Sequence, residues 1–298
     1  MELLFNTDNA SASELHEILG FIDSDFSLIQ VLPYLRKSTK EIIHWIGEQN
    51  YVKVLDWYEN DESNDFLTMV RYTIVLGAFR EFAPLLDVSY TTSGRVFRSD
   101  DHTKAAFEWM IDKSNEAMER SYYASLNDII VMTIEDRDLF PTPFINDVKG
   151  MFVSTLKTFQ EFVNIDDSHL LFLKLIPSLK LAEHRLIYSR CRDKMDEYLN
   201  TDSHIKKLIQ QCCVYFAMID GLKKNSVQLF PQGVVQVEYQ QRKNKTANRL
   251  DVEATVLYYK EELSKLLQDL EIEIAKSNQK ISTKRDVNFE PEDGFVTM

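Results

Sequence analysis

One ten-residue pattern occurs twice in this chain, and it constrains the fold more than any other feature. Residues 28–37 read LIQVLPYLRK and residues 172–181 read FLKLIPSLKL, each with proline in sixth place, at Pro33 and Pro177. The offset of 144 goes on to pair Ile42 with Leu186, Ile43 with Ile187 and Leu55 with Leu199. Self-similarity at a fixed separation marks a duplicated unit, and each copy must bury its apolar face within itself or against a neighbour. At 298 residues the chain has room for two units of ordinary domain size. It holds only 8 Gly and 7 Pro, so tight turns are few and long helices are favoured.

The two halves present the same elements in the same order. Each opens on a short, β-like apolar run, at 3–5 and 151–153, followed by a short helix at 14–20 and 159–164 and the dipeptide Ile22-Asp23 or Ile165-Asp166. The proline-bearing helix comes next. In the first copy Leu28, Val31, Leu32, Leu35, Ile42, Ile43 and Ile46 share one face. Asp25 or Ser27, and in the second copy Asp167 or Ser168, are placed to cap it. A proline there either kinks the helix or marks its true first turn. A second short helix is expected over 48–57 and 192–199. A third is expected over 66–83 and 205–222, where Phe66, Met69, Val70, Ile74 and Ala78 match Ile205, Leu208, Ile209, Cys213 and Ala217 at an offset of 139.

Beyond the third helix the period changes. Alternation at 88–92 and 227–239, around Gly94 and Gly233, predicts a β-hairpin in each copy. The longest helix closes each unit, over 103–133 and 246–276. One side of the first carries Phe107, Met110, Ala117, Met118, Tyr122 and Ile129; one side of the second carries Leu250, Ala254, Leu257, Tyr258, Leu263, Leu267, Leu270 and Ile274. Thirty helical residues span roughly 45 Å, more than a small bundle needs for its own core, so the surplus face is a candidate surface for a neighbouring subunit. The expected fold is therefore mainly α: two tandem helical-bundle repeats, each with a short β-hairpin, at residues 1–135 and 150–276. A linker at 136–149 holds Pro141 and Pro143. An extended C-terminal tail, 277–298, docks on a partner, with Phe289 and Phe295 as its candidate anchors.

Charge separates the halves. Residues 1–140 hold 12 Lys+Arg and 25 Asp+Glu, a balance of −13, and residues 141–298 hold 22 of each. An acidic half argues against wrapping nucleic acid, whose affinity comes from neutralised phosphates, though DNA can pass close by. Arg242, Lys243, Lys245 and Arg249 form a basic stretch after the second hairpin, with Arg95, Arg98 and Lys104 as the diluted counterpart. These are candidate contacts to a neighbour's acidic surface or to DNA in a channel; the alternative is a solvated loop. Asp100-Asp101-His102 and Asp166-Asp167-His169 could ligate a metal, but each precedes a predicted helix, where short acidic residues act as caps. Cys191, Cys212 and Cys213 fit neither a disulfide framework nor a zinc site and are expected to pack as small hydrophobes in a reducing compartment. There is no glycine-rich phosphate loop, HExxH, GxSxG or CxxC motif, no cofactor is expected, and neither a secretory signal nor a membrane span is predicted.

The stretches LLFNT, LIQVLPYLRKSTKEIIHWIG, MVRYTIVLGAF, SGRVFRSDDHTKAAFEWMIDKSNEAMERSYY and LLFLKLIPSLKLAE resemble a tandem-repeat family of Bacteroidetes phages and prophages, including crAss-like phages, over nearly the whole chain to about residue 275. Each unit is also similar in layout to the head–tail connector (adaptor) subunits of tailed phages. The resemblance implies a structural protein of the virion neck, made in the host bacterial cytoplasm and not an enzyme. Its subunits would form a homo-oligomeric ring beneath the portal protein, a dodecamer or a hexamer with pseudo-twelvefold symmetry. The ring would contact other neck and tail proteins and continue the channel for genomic DNA. Two other functions remain open on the residues alone: a metal-dependent nuclease or hydrolase using the Asp/His clusters, and a cytosolic helical adaptor for a host protein.

Overall fold

The computed structural model describes residues 2–7, 13–22, 27–86, 88–91, 94–97, 107–136, 139–140, 148–224 and 249–282. The described residues are mainly helical and group into two compact units. One holds those of Met1–Asp147 together with Ile165–Lys174; the other holds Val148–Asn164, Leu175–Ser226 and those of Arg249–Met298.

The first unit is built around α4, Asp65–Leu86, because this helix is apolar on every side over the run from Thr73 to Phe79, all of it buried. A helix apolar all round must be enclosed. Helices α2 (Leu28–Ile46) and α5 (Glu108–Glu135) pack against it, with α1 (Ser13–Leu19) and α3 (Glu48–Glu59) beside them. The closest approach is at Gly77, where an added Cβ would lie 2.3 Å from Ser38 Oγ on α2 and 2.7 Å from Tyr122 Cε2 on α5. Four buried hydroxyls in this core return to their own helices: Thr39 to Leu35, Thr73 to Met69, Ser125 to Tyr122 and Thr133 to Ile130. Such back-bonding lets a polar residue sit in an apolar interior. Asn64 caps α4 by accepting from the backbone N–H groups of Phe66 and Leu67. Strand β1 (Val88–Thr91) pairs antiparallel with β2 (Gly94–Phe97), Val88 opposite Phe97 and Thr91 opposite Gly94. The second hairpin, expected over 227–239, lies outside the described residues, so a hairpin in every repeat does not stand on them.

The second unit contains α6 (Leu156–Gln160), most of α7 (His169–Ala182), a π-helical turn (Glu183–Ile187), α8 (Tyr188–Cys191), a 3₁₀ turn (Arg192–Lys194), α9 (Met195–Asn200), α10 (His204–Lys224) and α11 (Arg249–Ser282). Its central helix, α10, buries Leu208–Gln210, Cys212–Val214, Ala217–Ile219, Gly221 and Leu222, and it packs against α11.

Equivalent positions do equivalent jobs in the two units. Asn64 has its counterpart 139 residues on in Ser203, whose Oγ accepts from Lys206 N at the start of α10. Arg71 on α4 donates to the Leu4 carbonyl at 3.1 Å, and its counterpart Gln210 on α10 donates to the Phe152 carbonyl at 2.9 Å. Both bonds pin an apolar segment with buried side chains, Leu4 and Phe5 in one unit and Phe152 and Val153 in the other. These segments, read from sequence as β-like, form no strand: their backbone groups are held by side chains and not by a ladder.

The structure narrows two open alternatives, the place of the prolines and the caps, and corrects two further expectations, a pairing and the start of the tail. Pro33 and Pro177 lie inside α2 and α7, past the first turn. Ser27 occupies the N-cap position of α2 without a side-chain cap bond, whereas Ser168 Oγ accepts from Leu171 N on α7. The pairing of Ile42 with Leu186 slips by one. An i→i+5 turn absorbs one extra residue, and beyond the π turn buried Ile42, Ile46 and the break at Gly47 correspond to buried Ile187, Cys191 and the break at Arg192, an offset of 145. The last helix runs on to Ser282, so residues 277–282 belong to it and not to the tail.

Candidate functional site

The long helices extend past their own cores. At 28 residues α5 is about 42 Å long. All its buried residues lie in the C-terminal half, Tyr122 to Thr133, and none of residues 108–121 is buried. At the N-terminal end Phe107, Trp109 and Met110 are exposed, with Lys113 Nζ 5.1 Å from the Trp109 ring. Glu108, Asp112, Glu116 and Glu119, three and four residues apart, run as an acidic stripe along the same half. Phe107 and Met110 therefore do not share a buried face with Tyr122 and Ile129; the core stops short of them.

Helix α11, 34 residues and about 51 Å, carries two apolar stripes. Val256, Leu263 and Leu270 are buried at seven-residue spacing, the seam of a coiled-coil-like contact with α10. Leu250 and Leu257 are exposed about a third of a turn round the helix, and exposed Tyr258 lies more than half a turn round. The sequence pattern merged these stripes into one. Phe107 and Leu250, each four residues past the threonine that opens its predicted helix, are 67% and 68% exposed. In the structure Phe107 is the N-cap residue of α5 and Leu250 the second residue of α11, so each long helix begins beside an exposed large apolar side chain.

A second constellation lies within the first unit. The Arg80 guanidinium on α4 sits 4.2 Å from the centre of the Tyr122 ring and 5.3 Å from that of Tyr123. Its Nη2 is 3.9 Å from a Glu41 carboxylate oxygen and 4.0 Å from one of Glu81. Lys174, from the part of α7 that belongs to this unit, places Nζ 5.8 Å from both the Trp45 and the Tyr123 rings. Burial pulls the Lys174 ammonium below its ordinary pKa, against the pull of Glu41, and burial pushes the Tyr122 and Tyr123 phenols up. Phenols held protonated do not serve as bases near neutral pH. The cluster is a charge-and-aromatic node tying α2, α4, α5 and α7 together. Its members, scattered over residues 41 to 174, left no local signal in the sequence.

The sequence-predicted site residues fare differently. Arg98, Arg242, Lys243, Lys245, Phe289 and Phe295 lie outside the described residues, as do Asp100, Asp101 and His102. Arg95 falls on β2 and Arg249 opens α11. In the second Asp/His cluster, Asp166 and Asp167 take positive φ ahead of α7, and burial lowers the His169 pKa against the pull of Asp167 and Glu135. Among the described residues no group of three His, Cys, Asp or Glu side chains is placed to hold a metal ion. The three cysteines are free and buried. Burial pushes the Cys191 thiol up to about 11 and Cys212 to about 12, with Arg190 only partly opposing it. A protonated, buried thiol is a packing group, not a nucleophile. No described helix is long and apolar enough to cross a membrane.

The class these observations define is a duplicated, mainly helical module whose long helices are apolar beyond what their own units cover. Within that class the family is specific. The model of a family described as Family of unknown function (DUF6712) matches residues 42–150 and 187–278, and the chain belongs to that family. The two matched segments begin 145 residues apart, the offset that the π turn sets between Ile42 and Ile187. No curated protein and no solved structure matches the chain.

Proposed function

We propose that the chain is a structural subunit of a tailed-bacteriophage virion, a head–tail connector of the neck that assembles with copies of itself between portal and tail. The observation that carries this reading is the pair of exposed apolar helix ends, Phe107, Trp109 and Met110 on α5 and Leu250, Leu257 and Tyr258 on α11. Contiguous exposed apolar side chains on a helix end serve association. The tandem duplication and the resemblance to phage proteins favour a repeated neighbour over a single small ligand. In this reading the acidic first half keeps a DNA channel from gripping its cargo.

The same exposed helix ends also fit a helical adaptor that binds a different protein, so the deciding measurement is where the chain resides. Mass spectrometry and antibody labelling of tailed particles, released by a culture that encodes it, should find it at the neck in several copies. Particles lacking it overturn the connector reading and leave the adaptor.

A further inference from the structure

We infer that copies of this chain join by repeating a contact already made once inside the first unit, where the start of one repeat's proline helix lies beside the closing helix of the other repeat. Between copies, the start of α2 would lie in the same way along α11 of a second copy; this deepens the proposed self-assembly and rests on it. The contact inside the first unit is well defined. Ile165–Lys174 belongs to that unit, Leu170 is buried in its core, and Leu173 packs against the core. Leu170 N donates to Asn127 Oδ1 at 3.2 Å, and Lys174 Nζ lies 5.8 Å from the Tyr123 ring, so the start of α7 runs beside α5. Leu170, Leu173 and Lys174, three and four residues apart, share one helix face.

The counterparts of both surfaces are uncovered. At the offset of 144, half-buried Leu173 and Lys174 correspond to Ile29 and Gln30 on α2, both exposed, Ile29 to 67%. Aligned on their buried residues, Tyr122 and Ile129 with Leu263 and Leu270, α5 and α11 correspond at an offset of 141. Along α5 the stripe Tyr123, Asn127, Ile130, Val131 and Ile134 is buried or half-buried. Its counterparts on α11, Ser264, Gln268, Glu271, Ile272 and Ala275, are all exposed, and no other position between Ser121 and Glu135 changes from covered to exposed. The carboxamide that accepts from Leu170 N recurs on this stripe as Gln268. Charge permits the fit: Glu271 is paired with Arg190 at 2.8 Å, and residues 28–40 of α2 hold no acidic side chain. Repeats that cover one another's faces in this way stack through nearest-neighbour contacts. The contact uses α2 on one copy and α11 on the next, so it is heterologous and gives rings or open chains, not closed two-fold dimers.

The test is a disulfide between copies of the full chain. Gln30→Cys occupies the place of Lys174 and Ser264→Cys that of Tyr123, both positions are exposed, and the native cysteines are buried. Under mild oxidation at high protein concentration, the chain carrying both substitutions should form a ladder of dimers, trimers and larger species on non-reducing gels. The two single variants mixed one to one should give a dimer and nothing larger, and each alone should stay unlinked. Adding Ile29→Glu to the doubly substituted chain, with circular dichroism to confirm folding, should abolish the ladder. A double variant that stays monomeric or closes on itself, a single variant that dimerises as fully as the mixture, or a ladder that Ile29→Glu leaves unchanged overturns the inference, while the connector reading still stands or falls on location in phage particles. A ladder from a chain absent from those particles upholds the inference and sinks the connector reading alone.

Discussion

Gly77 offers the sharpest quantitative test of the packing. On helix propensity alone, Gly77→Ala should stabilise α4 by about 1 kcal/mol, since glycine is that much poorer than alanine in a helix interior. The structure reverses the sign. The new methyl would meet Ser38 Oγ at 2.3 Å and Tyr122 Cε2 at 2.7 Å, both below any real contact distance. Ser38 and Tyr122 are buried, so neither has open space to retreat into. Overpacking a close-packed interior typically costs 1–3 kcal/mol. Set against the propensity gain, the net loss should be about 0–2 kcal/mol, a fall of up to roughly thirtyfold in the folded-to-unfolded ratio. The readout is clean, because the three tryptophans, Trp45, Trp57 and Trp109, all lie in the first unit and their fluorescence during urea unfolding reports on it. Adding Ser38→Ala removes the nearer clash, so the double variant should recover about half of the loss and reveal a coupling of about 1 kcal/mol. A Gly77→Ala variant that unfolds at higher urea than the wild type would refute the three-helix contact at this point.

Three further outcomes are expected. Arg192 holds φ +41° with an exposed side chain, at the break that Gly47 makes with φ +89° in the first unit. Arg192→Gly should therefore stabilise the second unit by about 1 kcal/mol, read by hydrogen exchange in α10; a destabilised variant counts against the strain. Glu183 accepts from Phe152 N at 2.7 Å, and burial raises its carboxyl pKa above the ordinary 4.5. Between 4.5 and the raised folded value the folded state holds the extra proton, so this contribution to stability falls as pH rises through that window. Glu183→Gln should flatten that slope and keep the fold, whereas Glu183→Ala leaves Phe152 N unsatisfied and should cost about 1–3 kcal/mol in thermal or urea unfolding. On α11, Leu270→Ala at a fully buried site should cost about 2–5 kcal/mol, and Leu257→Ala less than about 0.5 kcal/mol in the isolated monomer; similar losses at both sites would mean that the buried stripe is misassigned.

Much of the architecture was legible without coordinates. Matched pairs on the third helices, Val70 with Ile209, Ile74 with Cys213 and Ala78 with Ala217, are buried in both units, because a 3.6-residue period records which side of a helix avoids water. The scarcity of glycine and proline implied long helices, and α4, α5, α10 and α11 are long. Other features carried no local signal. Arg71 and Gln210 are unlike in sequence, yet both donate to the carbonyl of an anchored N-terminal segment. A backbone acceptor asks only for an N–H at the right height, so the residue type was free to change.

What the sequence by itself determined is the duplication, the helical class and the existence of apolar stripes, since these follow from spacing along one chain. Only the tertiary structure decided which stripe of α11 is covered, that Leu170 joins the core of the first unit, and that Arg80 and Lys174 share an aromatic node there. It also placed the one-residue slip in the π turn at Glu183–Ile187. The physical reason is the same in each case. Periodicity gives every helix a face but names no partner, and burial belongs to pairs of surfaces that the chain brings together only when it folds.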